Sequence, residues 1–109
     1  MNSKYAALVF SFAFAASSLP AAAQDFGDSR KGLAFAKMVC AECHLVEKTG
    51  ARSPNRNALP FGTVAATSGM TAMALRTWLQ TSHPTMPNIV LNSDERADVI
   101  AYILSLKGK

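Results

Sequence analysis

Cys40-Ala41-Glu42-Cys43-His44 reads C-x-x-C-H, and each part of the pattern has a chemical job. Two thiols at i and i+3 stand on one side of a helical turn. There they can add across two vinyl groups of one porphyrin as thioethers. The adjacent imidazole then reaches the iron as the proximal ligand, which makes the stretch the attachment signature of a c-type haem. Three other readings leave His44 unexplained. A thioredoxin-type redox pair needs a surrounding βαβ pattern, and none is visible. A zinc site needs four ligands, but the chain has no other cysteine, and His83 alone leaves the set incomplete. A plain disulfide in an oxidising compartment makes no use of the histidine.

Upstream of the motif, Asp28 or Ser29 can cap a helix that runs through Lys31 to Val39 into Cys40. Gly32 is out of place there, costing about 1 kcal/mol against alanine. Close approach of another backbone would explain it. Downstream, residues 51–59 form a basic and polar loop stiffened by Pro54 and Pro60. Residues 62–69 read as a loop or short turn. Leu75, Trp78 and Leu79 have helical spacing within Thr71 to Gln80, and Thr81-Ser82-His83-Pro84 ends that helix. Asn92 followed by Glu95 resembles a capping box, and Val99, Ile100, Ile103, Leu104 and Leu106 form an apolar stripe with Tyr102 beside it. Gly108 lies just past the end of that last helix. No segment alternates as a strand does, and no internal repeat is present.

A haem has a second axial position, and its occupant separates an electron carrier from a protein that binds small molecules at iron. Met86 is the candidate, on a segment Pro84-Thr85-Met86-Pro87 that reads as extended and proline-stiffened between two helices. His83 competes for the same position and otherwise serves as a loop residue or hydrogen-bond donor. Met38, Met70 and Met73 read as fillers of the core.

Residues 1–23 read as a secretory leader. Lys4 supplies the positive start, Tyr5 to Ala16 the apolar run, and Ala21-Ala22-Ala23 a small-x-small cleavage site before Gln24. The run is shorter than the ~20 residues of a membrane span. No stable membrane insertion is therefore expected once the leader is removed, an uncleaved anchor being the alternative. Export and the haem motif support each other, since c-type haem is assembled outside the bacterial cytoplasm. The expected mature domain, residues 24–109, is near the size at which a protein core alone is marginal, and a central haem supplies apolar surface. A net charge of +4, without a basic stripe interleaved with aromatics, is far too weak to argue for a nucleic-acid partner, and none is expected; it fits docking to an acidic protein surface.

Four pieces in order carry a resemblance across nearly all of residues 24–109. They are Gly32-Leu33-Ala34-Phe35-Ala36 leading into the motif, Ser53-Pro54-Asn55, Met86-Pro87, and Asp98-Val99-Ile100-Ala101-Tyr102-Ile103. The chain resembles a small bacterial class I cytochrome c. The resemblance implies an all-α fold, three to four helices around one covalently bound haem c, with the first and last helices crossing at Gly32 near Tyr102. It implies a proline carbonyl that accepts a hydrogen bond from the ring of His44, with Pro54 the expected bearer and Pro60 the alternative. Trp78 resembles the aromatic that packs on the distal side of the haem, ordinary core packing being the other reading. The function so implied is that of a periplasmic, non-enzymatic carrier. It passes single electrons between redox proteins, a dehydrogenase-type or oxidase-type donor and acceptor, or serves one of them as a dedicated subunit. Lys31, Lys37, Lys48, Arg52 and Arg56 are candidates for its docking rim. The rival is a haem-based ligand-binding or catalytic protein with a displaceable sixth ligand.

Overall fold

The computed structural model describes residues 27–108. The expected leader and its cleavage site before Gln24 lie outside the described residues. Four α-helices follow one another: α1 (Ser29–Val39), α2 (Phe61–Ala66), α3 (Ala72–Gln80) and α4 (Ser93–Ser105). A single 3-10 turn over Cys40–Glu42 extends α1, and there is no strand among the described residues. The all-α expectation holds.

The cap of α1 is Asp28, not Ser29. Its carboxylate accepts the N–H groups of Arg30 at 2.8 Å and Lys31 at 3.3 Å, and these donors hold its carboxyl below the usual carboxylate range. The N–H of Asp28 itself donates to the Asp98 carboxylate at 2.6 Å, which ties the start of α1 to α4. Helices α1 and α4 form the main packing of the fold. Gly32 and Ala36, four residues apart on one face of α1, are both buried there. A Cβ at Gly32 would overlap the carbonyl oxygen of Asp98 and stand 2.8 Å from the Cβ of Tyr102. The glycine is therefore the residue that lets the two backbones touch, as its place in the sequence suggested. Gly27 does the same against the backbone of Ala97 and Asp98.

Helix α4 begins with the full capping box. Asn92 accepts from the N–H of Glu95, and the Glu95 carboxylate accepts from the N–H of Asn92, both at 2.9 Å. Its buried face carries Val99, Ile100 and Ile103, joined by Tyr102. The Tyr102 hydroxyl donates to the Val46 carbonyl at 2.6 Å inside the core, which pins the chain just after the haem motif to α4. The helix ends at a cap on Leu106, whose N–H bonds to the carbonyls of Ile103 and Leu104. Gly108 is thus not its cap.

The largest departure from the sequence reading is α2, which occupies part of the stretch read as a loop over residues 62–69. Gly62, Thr63 and a run of small residues give no apolar stripe, so nothing in the periodicity announces it. Tertiary contacts make it. Pro60 has its φ fixed at −56° before the first turn, and Phe61 is buried against the rings of His44 and Tyr102. Helix α3 starts on Thr71, whose hydroxyl accepts the Ala74 N–H at 3.1 Å, and it buries Leu75.

The methionines also differ from expectation. Met38 is 77% exposed and Met73 78%, so neither fills the core, whereas Met70 packs half-buried against it.

Candidate haem site

The motif sits where α1 tightens. After Val39 the helix becomes a 3-10 turn, and the N–H groups of Cys43 and His44 both reach the Cys40 carbonyl, at 3.2 and 2.8 Å. This turn brings the two cysteines and the histidine into one group. Both cysteines are free thiols and half-buried. Burial pushes the Cys40 thiol up to about 11. The thioredoxin-type reading fails on fold, since no strand is present among the described residues. A zinc site fares no better. Among the described residues, no three His, Cys, Asp or Glu side chains gather to hold a metal ion.

The segment that follows is clamped by the loop that runs from residue 53 to residue 61. The Asn55 N–H donates to the Cys43 carbonyl at 3.0 Å, the Leu45 N–H to the buried Ser53 hydroxyl at 3.0 Å, and the Phe61 N–H to the Leu45 carbonyl at 2.9 Å. Between these ties, the Nδ1 of His44 lies 2.6 Å from the Leu59 carbonyl. A carbonyl can only accept, so Nδ1 carries the proton and donates. Nε2 is left as the lone-pair nitrogen, the one available to a metal. The acceptor is therefore neither Pro54, which is exposed on the outer part of the loop, nor Pro60. It is the residue just before Pro60. A proline restricts the backbone of its predecessor to extended conformations, and here that fixes the Leu59 carbonyl over the imidazole. Phe61 supports the same ring from the side, with centroids 5.3 Å apart.

Met86 belongs to a second group, at the end of α3. Its segment turns instead of running extended: the Met86 N–H donates to the His83 carbonyl at 3.2 Å, closing a four-residue turn. Pro84 presets the first central position. Thr85 takes φ 69°, the left-handed region that a β-branched residue rarely adopts. The turn places half-buried Met86 in a small recess with Trp78, Leu79, His83 and Ile89. Trp78 is 55% exposed, which removes the core-packing reading and leaves it beside Met86, edge-on to His83.

The residues fit a haem. Two thiols one turn apart and one imidazole nitrogen already oriented stand together, and the thioether of Met86 lies in the separate group at the end of α3. Beside each group stands a large apolar side chain with much of its surface uncovered: Leu59 at 56% next to His44, and Trp78 next to Met86. A flat apolar macrocycle is what such surfaces cover. The family model for cytochrome c matches residues 29–107. The chain belongs to the cytochrome c family. Its cofactor is accordingly haem c with its iron, bound covalently, and its family chemistry is electron transfer. No protein with a curated description and no solved structure matches the chain.

The five basic residues named as a docking rim are all exposed, but Lys37 is engaged, its ammonium 2.7 Å from the Glu47 carboxylate. Among the described residues, no helix is long and apolar enough to cross a membrane. Sequence reasoning missed the Leu59 carbonyl and Phe61. The Leu59-Pro60 pair after a polar loop was the one local signal for the first, and Phe61 as a lone aromatic beside Pro60 was the only sign of the second.

Proposed function

We propose that this cytochrome is an exported monohaem electron carrier in which Cys40 and Cys43 are the thioether anchors and His44 and Met86 the axial ligands. The observation that carries the assignment is the hydrogen bond from His44 Nδ1 to Leu59. It commits one ring nitrogen and frees the other directly after two unpaired thiols. Cys40 and Cys43 would hold the group as thioethers, each S–H adding across one vinyl group. The haem, once bound, supplies a one-electron couple at its iron. The Leu59 bond holds the imidazole in one tautomer and raises its basicity. Met86 would supply a thioether to the iron, a ligand that favours the ferrous state. Were both donors to stay in place through oxidation and reduction, the protein would have little to rearrange.

Residues 1–23 are a leader, the mature chain starts at Gln24, and the compartment is the periplasm of a bacterium. Partners are redox proteins of dehydrogenase or oxidase type, met in weak encounters that bury little surface. The chain is a carrier and not an enzyme. Mass spectrometry and denaturing electrophoresis of protein isolated from the periplasm test this. A chain beginning at Gln24, one haem heavier than its sequence and retaining the haem through denaturation, is the expected result. Haem that separates freely from matured protein refutes the anchors, and an intact Met1 species held in the membrane refutes the soluble carrier.

A further inference from the structure

Met86 lies on a segment with few tethers. On its far side, Ile89 packs against the core and Leu91 is buried. On its near side the chain leaves α3 at Thr81, and Thr81, Ser82, Pro84 and Thr85 are all exposed. His83 is the one half-buried residue between α3 and Met86. Its ring meets Trp78 edge-on, with centroids 5.6 Å apart and planes at 83°, and its carbonyl receives the Met86 N–H. Thr81 is still tied to the last turn of α3, its hydroxyl to the Thr77 carbonyl at 2.7 Å and its N–H to the Trp78 carbonyl at 3.3 Å; beyond it, His83 is the residue whose ring and carbonyl together join the Met86 turn to that helix. The other contact of its ring is weak, Nδ1 standing 3.4 Å from the Thr81 carbonyl.

We propose that His83 is the positioning residue for Met86: its ring, docked on Trp78, holds closed the turn that presents the thioether to the iron. The inference rests on the ligation by Met86 proposed above. His83 acts here as a flat ring and not as a ligand. The turn needs such a hold because Thr85 takes its left-handed φ against the preference of a β-branched residue. A strained turn fixed at only one end opens more often. Opening moves Met86 away from the iron position while the anchors on Cys40, Cys43 and His44 stay untouched. Trp78 gains a role that neither sequence reading gave it, as the platform on which His83 docks.

The test uses haem-loaded protein in three forms: wild type, His83→Ala and His83→Phe. The ferrous forms are mixed with carbon monoxide in stopped flow, and the far-red band of a sulfur–iron bond is recorded on the ferric forms. Carbon monoxide enters only after Met86 leaves, so its rate reports how often the turn opens. An edge-to-face aromatic pair corresponds to a roughly two- to tenfold change in such a population. His83→Ala is expected to bind carbon monoxide about two- to tenfold faster than wild type, with a weakened band. His83→Phe, which keeps a ring on Trp78, should stay within about twofold of wild type. A wild-type rate in His83→Ala overturns the proposal, and so does a rate in His83→Phe as fast as that of His83→Ala. A wild-type ferric protein without the band overturns the Met86 ligation itself, a failure distinct from both.

Discussion

Replacing Gly32 with alanine tests the crossing of α1 and α4 with one methyl group. The new Cβ would overlap the Asp98 carbonyl oxygen, stand 2.5 Å from the carbonyl carbon and 2.8 Å from the Tyr102 Cβ. Carbon atoms in contact prefer about 3.5–4.0 Å, so the helices must separate by roughly 1 Å. The obstruction is backbone on one side and a Cβ on the other, and neither can move aside by changing rotamer. Overpacking of this kind costs about 1–3 kcal/mol, and the rigid case belongs at the upper end. Alanine recovers about 1 kcal/mol through its better helix propensity. The net loss is then about 2 kcal/mol, which for a domain of this size lowers Tm by roughly 8–16 °C. Gly62→Ala is the matched control. It makes the same chemical change within α2, where a Cβ meets no atom within 4 Å, so Tm should rise slightly. Thermal unfolding of the haem-loaded variants, followed by far-ultraviolet circular dichroism, reads both. If Gly32→Ala is as stable as Gly62→Ala, the two helices do not cross where the structure has them.

Tyr102→Phe leaves the buried Val46 carbonyl without its donor and should cost about 1–3 kcal/mol, measured by denaturant unfolding. The same tyrosine gives an alkaline prediction: burial raises its folded pKa above the unfolded value of about 10, so its contribution is complete below pH 10 and is lost as pH rises through the folded value. The wild type should therefore lose stability above pH 10 more steeply than Tyr102→Phe does, and parallel curves would contradict the burial of the hydroxyl. Met73→Ala, at an exposed position, should change stability by no more than about 0.5 kcal/mol. A loss of several kcal/mol would put Met73 back in the core.

What was legible in the sequence was local chemistry. The C-x-x-C-H motif names its own roles, and Asn92 with Glu95 states a helix start because both groups of the capping box lie within one turn. Gly32 was legible because a glycine inside a helical pattern demands a reason, and the contact with Asp98 supplies it. What was not legible depends on distant parts of the chain. Helix α2 has no apolar stripe of its own and exists because Phe61 is buried under His44 and Tyr102. The acceptor for His44 is a main-chain carbonyl, a group that every residue carries, so Leu59 bears no mark of its role. The prolines around Met86 suggest an extended segment. Pro84 instead takes the second position of a turn closed by the Met86 N–H on the His83 carbonyl. Met38 and Met73 misled because an apolar side chain on a helix signals burial only when its face meets another element.

The ferric absorption spectrum, recorded on wild type and Met86→Ala, tests the central claim most directly, because it observes the sixth ligand itself. With His44 and Met86 on the iron, wild type shows the weak far-red band of a sulfur–iron bond, and its ferrous form binds carbon monoxide only slowly at neutral pH. Met86→Ala loses the band, opens to carbon monoxide and falls in potential, with the haem still covalently attached. A wild-type protein that lacks the band and takes up carbon monoxide rapidly would contradict the carrier assignment and favour a ligand-binding haem protein.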